Sequence, residues 1–158
     1  MRTPASFGKH PLHPMLVALP IGLFVASFAF DLIHLWKGGE LWQDLAFYDL
    51  AAGLVGAVGA AIPGFIDYVS LTGERVLRVA HWHFGVNVAL LSVYGLDLWL
   101  RIESRKSVDG VFHLGPFLLS AVGMLLLGLS GWLGGELVFA HGVAVDVRES
   151  PGKKFPVS

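Results

Sequence analysis

Four long apolar segments dominate this sequence and restrict what it can fold into. Each contains about 20 residues or more, which is the length that an α-helix needs to cross roughly 30 Å of hydrocarbon. We place these segments at residues 14–36, 46–69, 79–100 and 112–138. Because 54% of the 158 residues are apolar, a soluble domain of this length could not bury them all. The sequence therefore predicts an integral membrane protein.

The connectors between the four segments are short and rich in turn-forming residues. They cover residues 37–40, 70–75 and 103–110. Helices that are joined by short connectors lie antiparallel to one another as neighbours. We therefore expect an all-α fold, an integral membrane antiparallel four-helix bundle at residues 14–145. Residues 1–13 are interpreted as an N-terminal interfacial segment, and residues 146–158 as an exposed C-terminal tail.

Composition excludes several classes of function. The chain has no cysteine, so it can form no disulfide and no thiolate metal site, and it cannot attach haem covalently. The formal net charge of −1 leaves no basic surface for nucleic acid. The first apolar segment is too long for the core of a cleaved signal peptide, so we expect it to remain as a membrane anchor.

The basic residues near the helix ends predict the orientation in the membrane. In an antiparallel bundle both termini share one side with the starts of the first and third helices. We call this the N-side and the opposite side the far side. The N-side basic residues are Arg2, Lys9, Arg75, Arg78, Arg148, Lys153 and Lys154, and those of the far side are Lys37, Arg101, Arg105 and Lys106. The positive-inside rule then places both termini in the cytoplasm.

Histidines are concentrated on the predicted N-side. Five of the seven lie there, from three separate parts of the chain: His10, His13, His81, His83 and His141. Imidazole is the commonest metal ligand and a usual axial ligand of haem. Helical spacing directs His83 inward and leaves His81 at the interface. Histidines that only contact lipid head groups would give a similar pattern.

Polar residues within the spans predict two polar clusters inside the bundle, because unpaired polar groups are costly against lipid. The N-side cluster comprises His13, His83, His141, Asp67 and Glu136, with Asn87 one turn deeper. The far-side cluster comprises Asp31, His34, Asp49, Tyr94, Asp97 and His113. We interpret the far-side cluster as structural. Small residues on the second and fourth helices, among them Gly131 and Gly134, allow close helix packing or leave room for a flat cofactor.

Two motifs resemble those of a known family. The sequence HPLHPMLV covers residues 10–17, and GWLGGELV at residues 131–138 is followed closely by His141. Together they resemble the prokaryotic membrane family known as domain of unknown function 2231, over residues 7–145. The resemblance implies a membrane-embedded four-helix fold. Some relatives look like fusions to Rieske-type iron–sulfur domains, or neighbours of them, which suggests redox work.

The leading hypothesis is a membrane-embedded b-type haem protein for electron transfer. His13 and His83 are the preferred axial ligands, and His141 is the next candidate. Asn87 would hydrogen-bond a ligand, Arg78 would pair with haem propionates, and the glycines at 131 and 134 would leave space. A second haem would use His34 and His113 on the far side. The redox partner would be a quinone or a Rieske-type iron–sulfur protein.

Two other classes of protein fit the same residues. One is a non-haem metal-binding membrane protein, with a metal held by His13, His83 and His141. The other is a structural or assembly subunit of a larger membrane redox complex. Glycines on the second helix could equally mediate homo-oligomer formation. All of these interpretations favour an electron carrier or a subunit over a stand-alone enzyme.

Overall fold

Four apolar helical spans build the protein, as the sequence predicts. The structure is a computed structural model and describes residues 4–8, 10–106 and 114–145. Its helices are α1 (Leu12–Leu16), α2 (Ala18–Lys37), α3 (Glu40–Ser70), α4 (Glu74–Lys106) and α5 (Leu114–Phe139). Helices α1 and α2 form one apolar span, so that the described residues contain four candidate membrane spans. The predicted all-α membrane four-helix bundle is confirmed.

The break between α1 and α2 has a local cause. Pro20 has no backbone N–H, so it cannot donate to the carbonyl of Leu16. Neighbouring bonds of the helical type persist, since Val17 donates to the His13 carbonyl at 3.1 Å and Ile21 donates to the Val17 carbonyl at 3.1 Å. The chain therefore continues through the missing bond with a short interruption, and α1 carries His13 at the N-side end of the span.

A small β-hairpin precedes α1, and the sequence pattern did not predict it. Strand β1 (Ser6–Phe7) pairs antiparallel with β2 (His10–Pro11). The backbone N–H of Ala5 donates to Asp67 Oδ1 at 2.8 Å, and Asp67 is buried near the end of α3. This bond fixes the N-terminal segment to the bundle, directly before the helix turn that carries His13.

The bundle consists of two helical hairpins. Helix α2 packs mainly on α3, and α4 packs mainly on α5, while the contacts between the two pairs are sparser. At the centre, the rings of Phe24 and Tyr94 stack across the two hairpins with centroids 4.3 Å apart. Two glycines make room for these rings: a Cβ on Gly53 would lie 2.7 Å from Phe24, and one on Gly123 would overlap Tyr94. The small-residue faces of α3 and α5 therefore serve close helix packing in the middle of the bundle.

The outer surface of the helices is apolar. Large aliphatic side chains point away from the bundle along all four spans, including Val55 and Leu125, each 76% exposed. A soluble protein does not expose continuous apolar surface of this extent. This surface is suited to contact with the lipid bilayer.

Helices α3 and α4 extend beyond the apolar segments. Helix α3 begins at Glu40 rather than near residue 46, and α4 ends at Lys106 rather than near residue 100. Ion pairs cover the extra turns, since Lys106 pairs with Glu103 at 2.7 Å and Arg105 pairs with Asp44. Hydropathy reports the part of a helix that crosses hydrocarbon, so it underestimates helices that continue into the polar interface.

Candidate functional site

His13 and His83 face each other at the N-side of the bundle. Their ring centroids are 6.4 Å apart and their planes are nearly perpendicular, at 83°. His13 comes from α1 and His83 from α4, so each hairpin contributes one imidazole. Both side chains are half-buried. The structure thus brings together the two histidines that the sequence favours as a ligand pair.

A hydrogen bond defines which nitrogen of His13 carries a proton. His13 Nδ1 lies 2.8 Å from the backbone carbonyl of Ala60 on α3. A carbonyl oxygen only accepts, so Nδ1 must donate. In the neutral imidazole, Nε2 then carries the lone pair. In metal sites, a backbone carbonyl that accepts from one ring nitrogen of a histidine imposes the same arrangement and leaves the other nitrogen for the metal.

His83 has the same tautomer for the same reason. Its Nδ1 lies 3.1 Å from the carbonyl of Ser130 on α5. The amide nitrogen of Asn87 donates to the His83 backbone carbonyl at 2.7 Å and lies 3.3 Å from Nε2. Because an amide nitrogen only donates, the Nε2 atom that faces Asn87 must be an acceptor. In its neutral form, each of the two imidazoles therefore has its lone pair on Nε2.

Two glycines lie directly beside the imidazole rings and leave space for them. A Cβ on Gly64 would lie 2.6 Å from His13 Nδ1, and a Cβ on Gly134 would lie 3.2 Å from His83 Cε1. Any larger residue at position 64 would push the imidazole of His13 out of place. Gly131 lies instead on the exposed face of α5, where an added Cβ would meet no atom within 4 Å, so Gly134 is the glycine that contacts the site.

The other predicted N-side residues lie at the periphery. Arg78 is exposed, 3.7 Å from Glu74. His81 is also exposed and bonds through Nδ1 to the Leu77 carbonyl of its own helix, as expected for an interfacial residue. His141 is half-buried in the turn after α5, and Glu136 is exposed. Within the described part of the chain, no three His, Asp or Glu side chains converge to hold a metal ion.

His34 belongs to the connection between α2 and α3. Its Nδ1 lies 3.0 Å from the Gly39 carbonyl, and its Nε2 lies 2.9 Å from the side-chain nitrogen of Gln43. Both ring nitrogens thus stabilise a turn in which Gly38 and Gly39 have positive φ angles of 68° and 96°. His113, the second residue of the predicted far-side haem, lies outside the described residues, so that prediction stays untested.

A buried ion-pair network occupies the far-side end of the bundle, and sequence reasoning missed its central residue. Arg101 donates to both oxygens of Asp31 at 2.9 and 2.6 Å, and its Nε donates to Asp97 Oδ1 at 2.9 Å. Ser120 accepts from Arg101 at 3.0 Å and donates to Asp97 Oδ2 at 2.8 Å. The side chains of Arg101, Asp31 and Asp97 are only 10%, 3% and 0% exposed. The network therefore joins α2, α4 and α5 in the interior.

The spacing on α4 contained the signal for this network. The three- and four-residue spacing of polar residues from His83 to Asp97 predicts one inward face on α4, and Arg101 follows Asp97 four residues later on the same face. From the sequence alone, Arg101 is expected only to contribute a positive charge to the far side. A helical projection extended by one turn would have placed it beside Asp97 and opposite Asp31.

The fold and the two polar clusters define a class of protein: a four-helix membrane protein with a histidine pair at one end of its interior and a buried ion-pair network at the other. The chain belongs to the DUF2231 family of predicted membrane proteins, whose family model matches residues 9–147. Searches among curated proteins and among solved structures found no significant match.

Proposed function

We propose that this protein is a membrane-embedded b-type haem protein for electron transfer, with His13 and His83 as the axial ligands. The observation that carries the proposal is the pairing of two imidazoles from different hairpins, each with Nδ1 bonded to a backbone carbonyl. Such bonds fix the ring orientation and leave Nε2 for iron. A haem at this position would lie between the two hairpins, where helix packing is sparser.

The separation of the rings is compatible with a shared iron. Metal–imidazole bonds are about 2 Å long, so both imidazoles would have to lie within a few Å of one bound iron. The centroids of His13 and His83 are 6.4 Å apart. Haem needs only two protein ligands of this kind. A structural zinc site needs four ligands, and the described residues bring no third His, Asp or Glu to this pair.

The surrounding residues have defined parts in this proposal. The carbonyls of Ala60 and Ser130 hold the imidazoles, and Gly64 and Gly134 set how close each ring lies to its neighbouring helix. In the free protein the side-chain amide of Asn87 lies 3.3 Å from Nε2 of His83. On binding of an iron to Nε2, this contact would be broken. Bound haem supplies one-electron redox chemistry. Arg78, at the same end, remains a candidate partner for a propionate.

A visible spectrum of the detergent-purified protein tests the proposal. Protein from cells that are well supplied with haem should show a sharp b-type α-band after reduction with dithionite. A pyridine haemochrome assay should give one haem per chain, and a value of two would support the additional far-side site. A colourless protein would contradict the proposal. Elemental analysis would then separate a non-haem metal protein from a structural or assembly subunit.

We further propose that the protein lies in a bacterial inner membrane with both termini in the cytoplasm, where it exchanges electrons with a quinone or a Rieske-type iron–sulfur partner. The network at the far side strengthens the charge argument. Arg101 lies inside the bundle rather than in a far-side connector, so the rule, which counts the basic residues of the connectors, does not include it. The remaining basic residues favour the N-side more strongly than the sequence count suggests.

Cysteine labelling tests this orientation, because the chain has no native cysteine. In spheroplasts, whose inner membrane is intact, a membrane-impermeant maleimide should label Lys37→Cys. It should label Glu74→Cys only after permeabilisation of the inner membrane. Both positions are exposed at helix ends, on opposite sides of the bundle. The reverse labelling pattern would invert the proposed topology.

A further inference from the structure

Among the residues that the structure describes, the buried far-side network contains one more acid than base. Asp31 and Asp97 share the single guanidinium of Arg101, and Ser120 is neutral. The other described basic side chains at this end have partners elsewhere: Arg105 pairs with Asp44, Lys106 pairs with Glu103, and Lys37 lies over the ring of Trp36. If both acids were ionised, the network would hold an uncompensated negative charge.

The titratable groups on the neighbouring helices do not correct this excess. On α5 the described titratable side chains are Glu136 and, in the turn after it, His141, both at the N-side end. On α3 the nearest ones along the helix are further acids, Asp44 and Asp49, and on α2 the nearest is His34, which is engaged in the turn. A buried net charge at this depth is costly, and ionisable groups inside membranes are commonly functional.

Tyr94 supplies a second, independent observation. Its side chain is 1% exposed, and its hydroxyl has no hydrogen-bond partner among the described residues. The stack on Phe24 and the contact with Gly123 fix the ring. Tyr94 lies one turn before Asp97 on α4, so the two side chains share the inward face of that helix. A buried hydroxyl without a partner is uncommon in proteins, which marks this part of the bundle interior as polar and incompletely hydrogen-bonded.

We propose that this network is a proton-binding site that holds one exchangeable proton on Asp97. One added proton balances two acids against one base. Asp31 accepts two hydrogen bonds from Arg101 in a bidentate pair, which is the stronger of the two acid–guanidinium interactions. Asp97 accepts one short bond from Arg101 and one from Ser120, so it is the acid with less stabilisation of its charge. The site does not depend on the proposed haem.

Infrared spectroscopy of the full-length protein in detergent tests the proposal. At neutral pH the wild-type protein should show the carbonyl stretch of a protonated carboxyl group, shifted in D₂O. Asp97→Asn should lose this band. Asp31→Asn should lose it as well, because Asp97 alone then balances Arg101. Asp44→Asn removes an acid of an exposed ion pair at the same end and should keep the band.

Tyr94→Phe is a conservative control, and we expect it to preserve the fold because the aromatic ring is retained. It removes the unpartnered hydroxyl and keeps the ring stack, and it leaves every hydrogen bond of Asp97 in place, so the carboxyl band should remain. Three results would overturn the proposal: no protonated-carboxyl band in the wild type, a band that survives in both Asp31→Asn and Asp97→Asn, or a band that emerges only when sodium is removed. The last result would assign the site to a metal cation.

Discussion

Arg101→Met should lower the free energy of unfolding by about 3–5 kcal/mol, because it leaves buried acid without its cationic partner. Asp31 would lose both of its hydrogen bonds to the guanidinium, and Asp97 would lose its bond to Nε. Methionine is close to arginine in length, so the packing volume changes little. The loss therefore measures the penalty of uncompensated charge inside the bundle. Unfolding in detergent, by titration with sodium dodecyl sulfate and circular dichroism, gives the required free energies.

Two further variants separate charge from packing. Arg105→Met removes a cation one turn away that pairs with Asp44 at the interface. The two side chains are 39% and 48% exposed, so this variant should lower the free energy of unfolding by at most about 1 kcal/mol. The triple variant Asp31→Asn, Asp97→Asn and Arg101→Met removes every formal charge of the network. It should recover most of the stability that Arg101→Met loses, since neutral groups carry a smaller desolvation cost.

The pH dependence of the loss gives an additional check. Acid protonates the carboxyl groups that Arg101→Met leaves without a partner, so the deficit relative to wild type should shrink as the pH is lowered. A deficit that is constant with pH, or a triple variant as unstable as Arg101→Met, would contradict the electrostatic explanation. The effect would then lie in packing at the position of Arg101.

The sequence was sufficient to predict the four spans and most of the inward faces. Hydrophobic segments of the correct length define membrane spans without reference to tertiary structure. On α2 the three- and four-residue spacing of Pro20, Phe24, Ser27 and Asp31 predicts one inward face, and all four residues are buried. On α3 similar spacing predicts an inward face that includes Gly53, Ala60, Pro63 and Asp67, and these four residues are also buried. Spacing along a helix predicts these faces because a membrane helix has little freedom to expose polar groups.

Other features depend on contacts that spacing along one helix cannot reveal. The inward face of α5 includes Ser130 rather than Gly131, and a shift by one residue rotates a helix by about 100°. The N-terminal hairpin depends on a bond between Ala5 and Asp67, which are 62 residues apart in the chain. The carbonyl partners of the two histidines lie on other helices. No side-chain pattern identifies a backbone acceptor on a neighbouring helix.

His83→Ala and His13→Ala should each reduce the haem retained per chain by roughly tenfold or more, if the protein carries the haem that we propose. Each substitution removes one of two axial ligands together with its bond to a backbone carbonyl. His81→Ala is the matched control. His81 lies two residues from His83 but is exposed, and its ring bonds to its own helix, so this variant should retain the wild-type amount. Haem content is measured against protein by pyridine haemochrome after purification in parallel.

A conservative substitution distinguishes ligation from folding. Methionine can ligate haem iron, and an axial pair of histidine and methionine raises the redox potential relative to two histidines. His83→Met should therefore retain more haem than His83→Ala and show a higher midpoint potential in a redox titration. A purely structural role for His83 would not shift the potential. Full haem content in both alanine variants would contradict the assignment and direct attention to His10 and His141, the remaining N-side histidines.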